Sequence, residues 1–119
     1  MQTANIINNE ELFARVAGDG ELLQEIVELF MEDHQHHLFN IKNALNKKDA
    51  AQLVRAAHTL KGAVATFAAK SATQAALKLE LMGRHQNFNG GREAFNILEK
   101  EIDLLKQALT DIEIEQPVK

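Results

Sequence analysis

The sequence predicts an all-α fold: an antiparallel up-down four-helix bundle with a short additional N-terminal helix. Three observations lead there. Apolar residues recur at three- and four-residue steps over long stretches, the period of one helix face. Four of the five stretches follow a side chain that caps helix N-termini well: Asn8, Asp19, Asp49 and Ser71. One proline and six glycines, mostly between the periodic runs, argue against an all-β domain. Short connections between long amphipathic segments then imply antiparallel neighbours.

The first helix starts at Asn8, with Glu11 placed as in a capping box, and ends near Gly18. Asp19 opens a long second helix. Its apolar positions Leu22, Leu23, Ile26, Leu29, Phe30, Leu38, Ile41 and Leu45 keep helical spacing through a polar middle, Glu32 to His37. Asn46-Lys47-Lys48 places positive charge at its C-terminus, where it complements the helix dipole. Asp49 with Gln52 caps a third helix reaching about Ala69, with Leu53, Ala57, Leu60, Val64 and Phe67 on its inner stripe. Ser71 with Gln74 caps a fourth, ending at Gly83, with Ala75, Ala76, Leu79 and Met82 inward. Arg84 to Gly91 reads as a loop. The fifth helix carries Phe95, Leu98, Ile102, Leu105 and Leu109, and the chain from Ile112, with Pro117, is expected to fray. A single domain over residues 1–119 is expected, with its core between about 8 and 111.

Composition excludes several classes. The 119 residues are 45% hydrophobic and 25% charged, an ordinary balance for one soluble domain. A formal net charge of −4 offers no electrostatic footprint for nucleic acid or an anionic membrane. With no cysteine there is no disulfide framework and no thiolate chemistry, which fits a cytoplasmic protein. The first residues lack the layout of a signal peptide, and no apolar run approaches the roughly 20 residues needed to span a bilayer.

The chemistry concentrates in the third helix. At about 100° per residue, His58 lies roughly 140° from the middle of the buried stripe, on the outer half with Arg55, Lys61, Gly62 and Ala65. It therefore faces solvent or a partner. Gly62 is the odd member, since glycine inside a helix costs about 1 kcal/mol relative to alanine. A destabilising residue one turn from an exposed histidine marks a candidate site. Val54 and Ala51 lie off the main seam; either they belong to a docking patch or they are the edge of a wide buried stripe. His34, His36 and His37 beside Glu32 and Asp33 invite a metal reading. They lack a matching ligand pair on another helix, so a solvated polar belt is expected instead.

His58-Thr59-Leu60-Lys61-Gly62, continued by Ala63-Val64-Ala65-Thr66-Phe67-Ala68-Ala69, resembles the core motif of the histidine phosphotransfer (HPt) domain of bacterial multistep phosphorelays. Gly18-Asp19-Gly20-Glu21-Leu22-Leu23 upstream and Leu79-Glu80-Leu81-Met82-Gly83-Arg84 downstream extend the likeness over nearly the whole chain. The sequence departs from many relatives at Ala63, Thr66 and Ala68, each a small residue in place of another, which leaves His58, Lys61 and Gly62 intact. The resemblance implies a phosphoryl carrier with no kinase activity of its own. His58 would accept the group from a receiver-domain aspartyl phosphate, through Nε2, and pass it to another receiver Asp.

The residue types suit that role. An imidazole in water titrates near 6.5, so its neutral form supplies a lone pair for in-line attack on phosphorus. Lys61, at i+3, is near enough to neutralise phosphoryl charge. Gly62, at i+4, leaves clearance for a receiver. Arg55, Val54 and Ala65 are the candidate docking residues around them. Glu80 reads as a structural helix residue. The domain needs no cofactor of its own, Mg²⁺ being expected in the receiver. Its partners are response-regulator receivers or a hybrid sensor kinase, with no nucleic acid or membrane contact, and it is expected to be a monomer. The competing function is a non-phosphorylated helical adaptor, which would have no use for a glycine at position 62. A metal-binding bundle would need inward Glu-x-x-His pairs that this chain lacks.

Overall fold

Three side chains start three of the helices. Asn8 Oδ1 accepts from the Glu11 N–H at 3.0 Å, Asp19 Oδ1 from Leu22 at 3.1 Å and Asp49 Oδ1 from Gln52 at 3.0 Å. Each satisfies a donor that the first helical turn leaves without an intrahelical partner. The computed structural model describes residues 6–115, with side chains to Asp111. Among the described residues there are five helices and no strand: α1 (Asn9–Arg15), α2 (Gly20–Lys47), α3 (Ala50–Ala65), α4 (Lys70–Arg84) and α5 (Gly91–Glu115). At 1.5 Å per residue the 28 residues of α2 span about 42 Å, which accounts for most of the molecule's 48 Å length.

α3 packs between α2 and α4, and α5 packs against α4 and α2. The stripe of α3 and the turn after it, Leu53, Ala57, Leu60, Val64 and Phe67, is buried as its spacing requires. Leu98, Ile102, Leu105 and Leu109 of α5 complete the core.

Several boundaries differ from the sequence expectation. α3 stops at Ala65 rather than near Ala69, because the chain turns through Thr66 and Phe67 to a left-handed Ala68 (φ 55°). That turn drives Phe67 into the core, where it meets Phe30 edge-on at 5.4 Å, and presents the Ala68 carbonyl to the Asn8 N–H at 3.1 Å. α4 starts at Lys70, with buried Ala69 at the cap position and no side-chain cap. Ser71 is thus already inside the helix, and its expected pairing with Gln74 is not the cap. Nor does Gly83 end α4. The helix continues to Arg84 and closes through a left-handed Gln86 (φ 52°), while Gly83 is buried within it. At the other end, α5 remains helical to Glu115, past the expected fraying point at Ile112; residues 116–119, Pro117 included, lie outside the described residues.

The histidine-rich middle of α2 is not wholly solvated. His34 is buried, its ring stacked on Phe30, and its Nδ1–H donates to the carbonyls of Phe30 (3.2 Å) and Met31 (3.0 Å). It lies one turn from Phe30 on the same inner face, so burial satisfies it locally. His36 stays outside and its Nε2 takes a hydrogen bond from the Asn40 amide at 3.3 Å. Among the described residues no group of three His, Cys, Asp or Glu is arranged to hold a metal, and no helix is long and apolar enough to cross a membrane.

Candidate functional site

α3 turns its inner stripe toward the core, so His58, on the opposite half, is left 62% exposed. α4 passes beside it at unusually close range. A Cβ built on Gly83 would lie 2.9 Å from Val54 Cγ2 and 3.1 Å from both the Ala50 carbonyl oxygen and the Val54 nitrogen, so only glycine lets the two backbones come this near. One turn back along α4, the same face delivers Glu80 beneath His58. Glu80 is 3% exposed, one of two buried polar side chains among the described residues, the other being His34.

Three side chains converge on that carboxylate. His58 Nδ1 lies 3.2 Å from Oε2, Arg84 reaches the same oxygen through Nη2 at 2.6 Å and Nε at 3.1 Å, and Lys61 Nζ stands 2.8 Å from Oε1. The lysine contact is ionic and lacks hydrogen-bond alignment, so the buried Oε1 has a counter-charge but no hydrogen bond. Burial alone would raise the Glu80 carboxyl. The Lys61 and Arg84 cations, with the His58 hydrogen bond, outweigh burial and hold it at about 2.

The ionised carboxylate can only accept, so the hydrogen bond fixes the direction of the proton: Nδ1–H donates to Glu80. In the neutral ring the lone pair then resides on Nε2, across the ring from the buried anchor. A nucleophile held by a base-side partner, with two cations beside it, is equipped to take an electrophilic group and to neutralise its negative charge.

The other sequence-predicted residues fall around this centre. Lys61 is half-buried against Glu80. Gly62 is exposed, and a Cβ there would meet nothing within 4 Å, so no intramolecular contact requires the glycine. Arg55 is exposed one turn before His58, its carbonyl accepting from Thr59 Oγ1 at 2.9 Å. Ala65 is half-buried at the end of α3. Val54 is half-buried against Gly83, in the α3–α4 seam. Sequence reasoning missed the roles of Glu80 and Arg84. The signal was present: Glu80 shares the inward face of Ala76, Leu79 and Gly83, where a carboxylate needs partners, and Arg84 follows it by one turn.

In this helical domain an exposed imidazole rests on a buried carboxylate, in an open site that does not enclose it. The model of the Hpt domain family matches residues 25–110, well over half of the chain and all of α3 and α4, and the protein belongs to that family of phosphorelay phosphocarriers, which interact with receiver domains. No curated protein and no solved structure matches it.

Proposed function

We propose that His58 is the phosphoryl-accepting residue of a phosphorelay carrier. The domain, built as an antiparallel up-down four-helix bundle, takes the group from one receiver's aspartyl phosphate and delivers it to another receiver's Asp. The observation that carries this reading is the 3.2 Å contact between His58 Nδ1 and buried Glu80, which turns Nε2 and its lone pair outward.

In the forward step Nε2 attacks phosphorus in line, the N–P bond forms, and the P–O bond to the receiver's aspartyl oxygen breaks, releasing that carboxylate. No proton must leave the ring during attack. The imidazole becomes an Nδ1-protonated, Nε2-phosphorylated cation, and the Glu80 anion stabilises the positive charge as it develops. Lys61, one turn from His58 on α3, exchanges its contact with Glu80 for one with the phosphoryl oxygens. Gly62 provides clearance for the receiver's active-site edge, and Arg55 and Ala65 lie on the face it covers. Mg²⁺ and its acidic ligands come from the receiver. The domain itself acts as a monomeric, cofactor-free carrier in the cytoplasm.

The test is incubation with a phosphorylated receiver carrying labelled phosphate. Acid-labile, base-stable label should appear on the wild-type domain and be absent from a folded His58→Gln variant. Full labelling of that variant would transfer the role to another residue; no labelling of either protein would favour the adaptor reading.

A further inference from the structure

Two pairs of residues form successive rungs between α3 and α4. Val54 faces Gly83, and one turn further along, His58 faces Glu80. The steps, +4 along α3 and −3 along α4, each advance one helical turn in antiparallel directions, so the rungs are about 5–6 Å apart. The distance at one rung constrains the distance at the next.

From this we infer that Gly83 is a positioning residue for phosphoryl transfer: by having no side chain it sets the α3–α4 spacing at which Glu80 can hold His58 Nδ1. The distances decide the point. Carbon atoms pack at about 3.5–4.0 Å, whereas a Cβ at Gly83 would stand 2.9 Å from Val54 Cγ2, so α4 would have to retreat by roughly 0.5–1 Å. Rotation of Val54 cannot absorb all of this, because two backbone atoms of α3, the Ala50 oxygen and the Val54 nitrogen, are each only 3.1 Å from the same point. The His58–Glu80 hydrogen bond is already long at 3.2 Å, with no slack to follow. Lys61 and Arg84 have flexible side chains and would keep their hold on Glu80 after such a shift; the imidazole, fixed by two torsions on α3, would not. The hydrogen bond that selects the tautomer is therefore the contact most sensitive to bulk at position 83.

The test compares Gly83→Ala with Val54→Ala. Both disturb the same seam, but only the first pushes the helices apart. The readout is the imidazole ¹⁵N–¹H correlation spectrum of unphosphorylated protein, which separates Nδ1–H from Nε2–H rings, followed by transfer from a phosphorylated receiver. Val54→Ala should keep the wild-type His58 signature despite a lowered melting temperature. Gly83→Ala should lose the Nδ1–H signature and slow transfer about ten- to a hundredfold, the range expected for an ångström-scale misplacement. If Gly83→Ala does not fold, the double variant with Val54→Ala removes the 2.9 Å clash, and its spectrum is compared with that of Val54→Ala alone. A wild-type Nδ1–H signature in a folded protein carrying Ala at 83 would overturn the inference. The rate rests on His58 being the acceptor, but the spectrum does not: failure of wild-type labelling would refute the function and leave the spacing argument to its own result.

Discussion

Gly62→Ala separates helix stability from docking because the two respond with opposite signs. Position 62 begins the last turn of α3, its carbonyl still bonded to the Thr66 N–H, and is exposed, and an added Cβ would meet nothing within 4 Å. No steric penalty therefore offsets the gain in helix propensity, which is about 1 kcal/mol for Gly to Ala in a helix interior. For a domain of this size that gain should raise the melting temperature by roughly 3–6 °C. Transfer should move the other way. If a receiver closes over Nε2 of His58, a methyl group one turn away is overpacked in the complex, and overpacking costs about 1–3 kcal/mol. The rate of transfer at limiting receiver should fall about five- to 150-fold, and Gly62→Gln should fall further. The assays are a thermal melt and a receiver-to-domain transfer time course on the same preparations. Higher stability with an unchanged rate, above all in Gly62→Gln, would refute the clearance argument. The contrast with Gly83 sharpens the test: the same Gly→Ala change should stabilise at 62 and destabilise at 83, because one Cβ enters open space and the other enters the α3 backbone.

Lys61→Ala removes the ammonium 2.8 Å from Glu80 Oε1 and should slow transfer about tenfold, a loss near 1.4 kcal/mol, while shortening the phosphohistidine lifetime. An unchanged rate and lifetime would leave Lys61 only as a counter-ion to Glu80. Glu80 itself predicts a pH dependence. Its folded carboxyl is depressed to about 2 from 4.5, so its contribution to stability is fully present above about 4.5 and is lost as pH falls through about 2. The stability gap between wild type and Glu80→Gln, measured by urea unfolding, should accordingly narrow across that window. A gap that stays constant from pH 5 to pH 2 would contradict the depressed value.

The outward placement of His58 was legible because it follows from the helical period alone: five buried residues define one side of α3, and position 58 is on the other. Three caps were legible for the same reason, each being a local signal between residues three apart. Glu80 was not. Its meaning depends on the register between α3 and α4, across 22 residues of chain, and that register is set by a turn with no signal of its own. Ala68 adopts a left-handed conformation that glycine or asparagine would have announced. Gly83 misled in the opposite way. A glycine near the end of an amphipathic run reads as a helix stop, whereas here it serves close approach, which only the distances to Val54 and Ala50 reveal. His34 sits among polar neighbours that conceal it, yet it lies on the face of Phe30 and Leu38, the clue that it belongs inside. Local pattern singled out the exposed histidine; the carboxylate beneath it emerged only from packing.

The central claim is that Glu80 holds the Nδ1 proton and leaves Nε2 of His58 to receive phosphate. ³¹P and ¹⁵N NMR of the domain phosphorylated by its receiver measures this directly, in uniformly ¹⁵N-labelled protein. The account predicts phosphorus coupled to Nε2 of His58, with Nδ1 still bearing its proton against Glu80. Phosphorus on Nδ1, or on any other side chain, would contradict it.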